Sequence, residues 1–316
     1  MTFEGICDVL IIGSGPAGLS SALTLARALY NVVVFDSGVY RNQSSPYMHT
    51  LPTWDHRNPK EYRDAARAEV VARYDTVKFH DSAVESIRRT EQGFEALTAD
   101  GQTWTGRKVI LASGVKDIMP DIQGYDSCWV KGIYHCLFCK GYEDRGAASA
   151  GVLAIDDLAA VPPALHLART ARRLASTVTL YTDGAEDLAH ALKAGLHEQE
   201  KGHIHIDTRA IAKLIKTDEG SNVTICFRDD SSPPVTEGFL VHRPKMQLNG
   251  PFAQQLKLEL TPQGDIQTTP PFGETSVQGV FAAGDCATPG KIVANALATG
   301  TFAGAGVAAQ LSASPC

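Results

Sequence analysis

The sequence predicts an α/β protein built of two similar Rossmann-like blocks, one inserted in the other. Three observations predict it. An apolar strand, Asp8 to Ile12, runs straight into Gly13-Ser14-Gly15-Pro16-Ala17-Gly18, and an acid, Asp36, ends the next strand. A second strand–helix–strand pattern begins at Gly151. Near the end, Gly279 to Asp285 reads as a strand and turn that lead into a small-residue helix.

The elements follow in order. Helical spacing of apolar residues runs from Leu19 to Leu29, and Asn31 to Phe35 is a β-branched strand. Together with the first strand and glycine turn they make a βαβ unit of about 30 residues. Ser37 to Asn58 reads as a long loop, and Glu61 to Tyr74 as a charged amphipathic helix. Val77 to Phe79, Ala83 to Ile87, Gly93 to Ala99 and Thr103 to Gly106 alternate like a small antiparallel sheet, with a hairpin turn at Asp100-Gly101. Lys108 to Ala112 is a buried-type strand ended by Ser113-Gly114. In the second block, Gly151 to Ile155 and Val178 to Thr182 read as strands around a helix from Pro163 to Ala175. Further strands are expected at His203 to Asp207, Asn222 to Arg228 and Phe239 to His242, and a helix over Ile292 to Gln310.

Composition narrows the function. The 316 residues are 44% hydrophobic and 20% charged, with a formal charge of -6. No long run of either sign occurs, which argues against nucleic acid or an anionic membrane as the main partner. No stretch is apolar and long enough to span a bilayer. The N-terminal stretch lacks a basic region and reads as a first strand, not a signal peptide. Seven cysteines, five of them scattered, do not form a secreted disulfide framework. A reducing cytoplasm is the expected compartment.

Two features carry chemistry. In the glycine run, Gly13 permits a tight turn, Gly15 admits a pyrophosphate to the backbone, and Gly18 lets the helix pack on the sheet. The helix N-terminus then faces the phosphates, and the Asp36 carboxylate can hold a ribose diol. Asp285 and the helix start at Ile292-Val293 suit the ribityl, pyrophosphate or flavin part of FAD. The second feature is His135-Cys136-Leu137-Phe138-Cys139. Two cysteines at this spacing can close a reactive disulfide. A zinc half-site lacks a second ligand pair, and two inert buried cysteines remain an alternative. His135 is a candidate base for thiols, because imidazole titrates near neutral pH; a structural role is equally open. Lys140 can lower a cysteine pKa by its charge, or be simply solvated. Cys7, Cys128, Cys226 and Cys286 read as structural, and Cys316 as a terminal thiol. Tyr47, Met48, Trp54 and Phe138 could wall an apolar pocket.

These motifs resemble the low-molecular-weight thioredoxin reductase family. The matching pieces are Gly13 to Gly18, Ser113-Gly114, the Cys136–Cys139 pair and the run Thr275 to Asp285, and the likeness covers nearly the whole chain. The resemblance implies a split FAD-binding domain at 1–115 and 243–316, an inserted NADPH-type domain at 116–242 carrying the cysteine pair, and a homodimer. It implies FAD held by Gly13, Ser14, Gly15, Pro16, Ala17, Gly18, Asp36, Ser37, Arg41, Asn42, His49, Val84, Ala112, Ser113, Gly114, Gly284, Asp285, Ile292 and Val293. Cys139 would face the flavin, and Cys136 would exchange with the thiol substrate.

Three departures set the chain apart from the reductases. Asp156 and Asp157 stand where a second glycine-rich fingerprint is needed. Asp183-Gly184, not a basic cluster, follows the strand that ends at Thr182. Lys140 replaces the acid expected after the second cysteine. In these respects, and in the stretches Tyr134 to Glu143 and Phe35 to His56, the chain resembles the fungal dithiol oxidases that close the disulfide of epidithiodiketopiperazine toxins. That resemblance implies a small-molecule dithiol as substrate, electrons passing through Cys136 and Cys139 to FAD, and molecular oxygen as acceptor, giving hydrogen peroxide. An NADPH-dependent disulfide reductase is the alternative.

Overall fold

The computed structural model describes residues 5–218 and 220–313; Cys316 lies outside them. The chain divides into two compact units. Unit 1 comprises residues 1–116 and 247–316, and unit 2 residues 117–246.

Unit 1 opens with β1 (Cys7–Ile12), α1 (Pro16–Arg27), β2 (Val32–Phe35), α2 (Pro59–Arg73) and β3 (Val77–His80). Then come β4 (Val84–Thr90), β5 (Gly93–Thr98) and β6 (Thr103–Leu111). The sheet runs β3-β2-β1-β6-β5-β4, with β17 (Val280–Ala282) also paired to β6. The β3, β2, β1, β6 and β17 pairings are parallel, and the β6-β5-β4 meander is antiparallel. Both faces of the parallel part are covered, which explains its continuous apolar strands. Leu10, Ile12, Val33 and Phe35 pack on one side. Val9, Ile11, Val32 and Val34 pack on the other, against Ala22 and Leu25 of α1.

Two expectations need correction here. Val77 to Phe79 belongs to the parallel sheet, where Val77 pairs with Val32, and not to the antiparallel meander. The runs at 103–106 and 108–112 are one strand. Gly106 does not break it: a Cβ there would lie 2.7 Å from Leu10 Cγ, so the glycine makes room for a neighbouring side chain.

The chain leaves unit 1 through β7 (Val115–Ile118). Unit 2 holds α3 (Tyr125–Cys128), β8 (Ile133–Tyr134), β9 (Ala147–Leu153), α4 (Val161–Ala171), β10 (Ala175–Tyr181), α5 (Glu186–Gly195) and β11 (Ile204–Asp207). These are followed by β12 (Ile211–Lys216), β13 (Val223–Phe227), β14 (Val235–Glu237) and β15 (Leu240–Val241). Its parallel sheet runs β11-β10-β9-β15-β8, and β12-β13-β14 form a separate antiparallel sheet. Helix α5 and strands β12 and β14 were not foreseen. Helix α4 stops at Ala171, and Ala175 already belongs to β10. The chain returns through β16 (Lys245–Leu248) and ends with α6 (Phe252–Gln255), β17 and α7 (Val293–Ala313). Helix α7 carries no charged residue. It lies close on α1 because it is glycine-bearing: a Cβ on Gly300 would sit 2.2 Å from the Ala17 carbonyl oxygen. No helix among the described residues is long and apolar enough to cross a membrane.

Candidate functional site

In unit 1, strands β1, β2, β6 and β17 end together, and their carboxyl ends carry most of the residues expected to hold a dinucleotide. This is where open α/β sheets place ligands. Gly13 turns with φ 110°, and a Cβ there would lie 2.3 Å from the Ala112 carbonyl oxygen. At Gly18 a Cβ would lie 1.9 Å from the Gly13 oxygen. Gly15 is different, with no protein atom within 4 Å of its Cβ position. Gly13 and Gly18 are therefore glycines for packing, and Gly15 faces open space. Gly15 is also the N-cap of α1, with no side chain capping the helix, and Pro16 opens the first turn. Leu19 N–H is bonded to the Gly15 oxygen. The Ala17 and Gly18 N–H groups are thus left without helical acceptors, a cradle suited to an anion.

The rim is tied together by side chains distant in sequence. Arg41 and Asp285 form an ion pair at 2.9 Å, both largely buried. Gly284, at φ 75°, brings that turn to α1, where a Cβ would meet Ala17 Cβ at 2.9 Å. Asn42 accepts from Arg63 at 2.9 Å. Asp36 is buried and accepts from the Gly38 N–H at 2.9 Å and from the Tyr40 hydroxyl at 2.5 Å. Burial, and then the Asp36 carboxylate, push the Tyr40 hydroxyl pKa up, so Tyr40 stays a donor. Ala112 N–H bonds the Ile12 oxygen, and Asn249 Nδ2 bonds the Ser113 oxygen at 3.0 Å. Gly114, at φ 69°, completes that turn.

Other expected contacts lie elsewhere in unit 1. Val84 is packed in the apolar cluster with Val33 and Phe35, so only its main chain can meet a ligand. His49 sits in the 37–58 loop, 3.5 Å from Asp55 and 5.2 Å from the His56 ring. Ser37 is exposed in the turn after β2. Ile292 is exposed immediately before Val293, the first residue of α7. Tyr40 lies in the Phe35 to His56 stretch but was given no role, and three supporting residues escaped notice in the sequence: Arg63, Asn249 and Lys291. Lys291 is almost wholly buried, and its Nζ bonds Asp265 Oδ1 and the Asp285 and Thr288 carbonyls. None of these belongs to a motif, so no local pattern reveals them.

In unit 2, Cys136 and Cys139 form a disulfide in the loop after β8, with their Cα atoms 5.2 Å apart. Both are half-buried, and Phe138 between them is 72% exposed. The Cys139 N–H donates to Cys136 Sγ at 3.1 Å. An N–H so placed favours a thiolate on Cys136 when the bond opens. His135 stacks on Trp129, with ring centroids 5.8 Å apart. Tyr134 donates to Asp144 at 2.8 Å, which fixes the strand leading into the motif. The remaining described cysteines differ in kind. Burial pushes the Cys7 thiol up to about 12 and Cys286 up to about 11, so neither is a thiolate at neutral pH. Cys128 is buried as well, and Cys226 is half-buried.

Residues 7–300 match the pyridine nucleotide-disulphide oxidoreductase family. The chain belongs to that family. Thioredoxin reductase aclD of Aspergillus oryzae is 46% identical over 308 residues, covering 96% of each chain. Thioredoxin reductase sirT of Leptosphaeria maculans is 45% identical, covering 97% of this chain and 94% of the other. Among solved structures, HlmI superposes with a TM-score of 0.85 at 30% identity, covering 99% of this chain and 95% of that one. The likeness to thioredoxin reductases drawn from the motifs therefore holds, as does the two-block Rossmann-like fold. The cofactor of this oxidoreductase is FAD. The open space at Gly15 and the free N–H groups of α1 fit its pyrophosphate.

The corresponding turn of unit 2, between β9 and α4, is where a pyridine nucleotide would place its pyrophosphate. Here the residues do not fit a pyrophosphate. Val161, Pro162 and Pro163 form the first turn of α4, and the prolines have no N–H to offer. The Leu158 and Ala159 N–H groups are already bonded to the Ile155 and Asp156 oxygens. Asp156 takes the left-handed turn position, φ 50°, where a glycine would be expected, and places a carboxylate there. That carboxylate lies 3.8 Å from His242 Nε2 and 3.5 Å from Lys245 Nζ. His242 is fully buried, its Nδ1 is 2.7 Å from the Tyr125 hydroxyl, and burial lowers its pKa to about 4. Asp183, after β10, also takes a left-handed conformation and accepts the Ile211 N–H at 2.6 Å. Sequence reasoning singled out Asp156 and Asp183 but missed the two prolines: it began the helix at Pro163 and gave Pro162 no role.

Proposed function

We propose that this flavoprotein is a dithiol oxidase. It closes an intramolecular disulfide in a small molecule of the epidithiodiketopiperazine type and passes the electrons to molecular oxygen. The observation that carries this reading is the contrast between two helix starts. The start of α1 leaves two N–H groups for a pyrophosphate, whereas the start of α4 has two prolines and a facing carboxylate. A flavin without a competent nicotinamide site is best reduced by a thiol. The cysteine disulfide is the route for that electron pair.

The chain's own residues account for the thiol steps. His135 takes a proton from the first substrate thiol, whose sulfur attacks Cys136 Sγ and expels Cys139 as a thiolate. The second substrate thiol gives its proton to the Cys139 thiolate just released and attacks the substrate sulfur of the mixed disulfide. Cys136 leaves as a thiolate, which the Cys139 N–H at 3.1 Å stabilises. The substrate departs with one new S–S bond, and the cysteine pair holds the two electrons. FAD, held at the α1 turn, would supply the two-electron chemistry that carries the pair from Cys136 and Cys139 to oxygen, and the two substrate protons would leave in hydrogen peroxide. Phe138, exposed between the cysteines, supplies an apolar contact for a diketopiperazine ring. A homodimer is the proposed assembly and rests on the family resemblance.

The test is oxygen uptake on addition of a reduced epidithiodiketopiperazine, with and without NADPH. One peroxide per disulfide, unchanged by NADPH, supports the oxidase. Turnover that requires NADPH and consumes disulfide would instead establish a reductase.

A further inference from the structure

Helix α2 buries a cation. Its inward face carries Pro59, Arg63 and Val70, and Arg63 is 8% exposed. Burying a charge is costly unless partners hold it. The Arg63 guanidinium lies over the Tyr40 ring, 3.9 Å from its centroid, and donates to Asn42 Oδ1 at 2.9 Å. The Tyr40 hydroxyl in turn donates to Asp36 Oδ2 at 2.5 Å. A chain of contacts thus runs from α2 to the carboxylate directly after β2.

The backbone is shaped to close that chain. Gly13 N–H bonds the Phe35 oxygen at 3.0 Å, so Asp36 is the next residue past the contact with the glycine turn. Asp36 N–H bonds the His80 oxygen at 2.9 Å, which fixes its main chain to the end of β3. Gly38, at φ 72°, reverses the chain, and its N–H bonds Asp36 Oδ1 at 2.9 Å. Beyond the reversal, Gln43 pins Tyr40 twice. Its Oε1 accepts the Tyr40 N–H at 3.0 Å, and its N–H bonds the Tyr40 oxygen at 3.1 Å. The phenol is thereby folded back onto the acid four residues before it.

The lone pairs of Asp36 define what it can hold. A carboxylate offers about four acceptor sites. Gly38 N–H takes one on Oδ1 and Tyr40 takes one on Oδ2, which leaves one on each oxygen. Arg67 Nη1 is 3.6 Å from Oδ2, too far for a hydrogen bond, and Arg67 is engaged with Asp81 at 2.6 and 3.0 Å. Two acceptors side by side, at the carboxyl end of β2, match the two vicinal hydroxyls of the adenosine ribose in FAD. Without the phenol, a buried Oδ2 lacks its donor, and Arg67 is the nearest replacement. The carboxylate then turns toward that guanidinium and no longer presents one free lone pair on each oxygen. Burial, and then the Asp36 carboxylate, keep Tyr40 protonated, so it acts as a donor at any working pH.

We infer that Tyr40, clamped by Arg63, is a positioning residue for FAD. It fixes the plane of the Asp36 carboxylate so that both oxygens accept from the ribose diol. The inference rests on Asp36 as the ribose acceptor.

The experiment is a competition on the full-length FAD-bound protein. It is equilibrated with mixtures of FAD and an FAD analogue whose adenosine ribose lacks the 2′- and 3′-hydroxyls, and the retained flavins are separated by chromatography. Their ratio reads the preference for the diol and needs neither turnover nor FAD-free protein. A substitution that only loosens the fold weakens both ligands alike and leaves the ratio unmoved. The parent prefers FAD by about 100-fold, roughly tenfold for each charge-assisted bond. Tyr40→Phe keeps the ring under Arg63 and cuts that preference about tenfold. Arg63→Met removes the clamp, leaves the hydroxyl and cuts it about threefold. Asp36→Ala abolishes it. If Asp36→Ala keeps the parental preference, Asp36 is not the ribose acceptor and the role of Tyr40 falls with it. If Asp36→Ala abolishes the preference while Tyr40→Phe leaves it whole, Asp36 stands and the inference about Tyr40 is overturned. An unchanged ratio in Arg63→Met alone would strike the clamp from the account.

Discussion

Acidification should destabilise unit 2 through one residue, His242. The side chain is fully buried between Tyr125 and Asp156, with Nε2 lacking a hydrogen-bond partner. Burial disfavours its charged form, Asp156 pulls the other way, and burial wins: the pKa falls from 6.5 to about 4. In the unfolded chain His242 recovers its ordinary value. Between pH 6.5 and about 4 the unfolded state therefore binds the extra proton, and stability falls as pH falls. At about 1.4 kcal/mol per pH unit, the gap corresponds to roughly 3 kcal/mol lost across that window. Against a typical domain stability of about 5–15 kcal/mol, this is a large fraction. The perturbation is His242→Asn, whose amide oxygen can still accept from Tyr125 but does not titrate. The assay is urea unfolding from pH 7 to pH 4, followed by Trp129 fluorescence in a Trp54→Phe/Trp104→Phe background. Trp129 is then the sole remaining tryptophan of the three, and it reports on unit 2. The variant should start less stable at pH 7 and lose about 3 kcal/mol less on acidification than its parent. Parallel pH profiles for parent and variant would refute the argument.

Four further outcomes follow. Cys136→Ser and Cys139→Ser should each abolish dithiol-driven oxygen uptake while the flavin absorbance stays with the protein; turnover in either variant would remove the disulfide from the route. Gly18→Ala places a Cβ against the Gly13 oxygen and should destabilise the FAD-free protein by about 2 kcal/mol. Gly15→Ala, with nothing within 4 Å, should leave that stability within about 0.5 kcal/mol yet weaken FAD binding tenfold or more, an affinity loss of about 1.4 kcal/mol, measured by flavin fluorescence titration. Anaerobic NADPH should leave the flavin band unbleached over minutes, whereas a reduced diketopiperazine dithiol bleaches it; rapid bleaching by NADPH would restore the reductase reading.

Much of this was legible in the chain because it is written locally. The glycine run of unit 1 reads directly as a turn, since Gly13 and Gly18 are fixed by contacts with main-chain neighbours only a few positions away or on the adjacent strand. The parallel strands β1 and β2 show as apolar runs because both faces are covered. What stayed hidden depends on long-range pairing. Val77 to Phe79 looks like any short β segment until β2 pairs with it in parallel. Gly106 looks like a strand end until Leu10 is seen to need its space. The Arg41–Asp285 ion pair spans most of the chain, and Lys291 finds its carboxylate at Asp265 through a turn that no periodicity encodes. Trp129 and His135 are close in sequence, yet their stack depends on the left-handed residue Val130, which propensity argues against.

The two βαβ turns of this chain answer the same physical question in opposite ways. An anion at a helix start needs free N–H donors and no competing negative charge. In unit 1 the single proline, Pro16, occupies N1, where its missing N–H costs nothing, and the next two N–H groups remain. In unit 2 the prolines occupy the next two positions instead, removing the donors that unit 1 keeps. The loop amides before them are spent on a short 3-10 turn, and Asp156 adds a carboxylate. Restoring a glycine at Asp156 alone would thus remove the repulsion but not supply the donors. Binding of a pyridine dinucleotide would require Pro162 and Pro163 to change as well. Both units keep the βαβ fold while only the α1 start offers donors to a phosphate, and the proposed oxidase rests on that contrast.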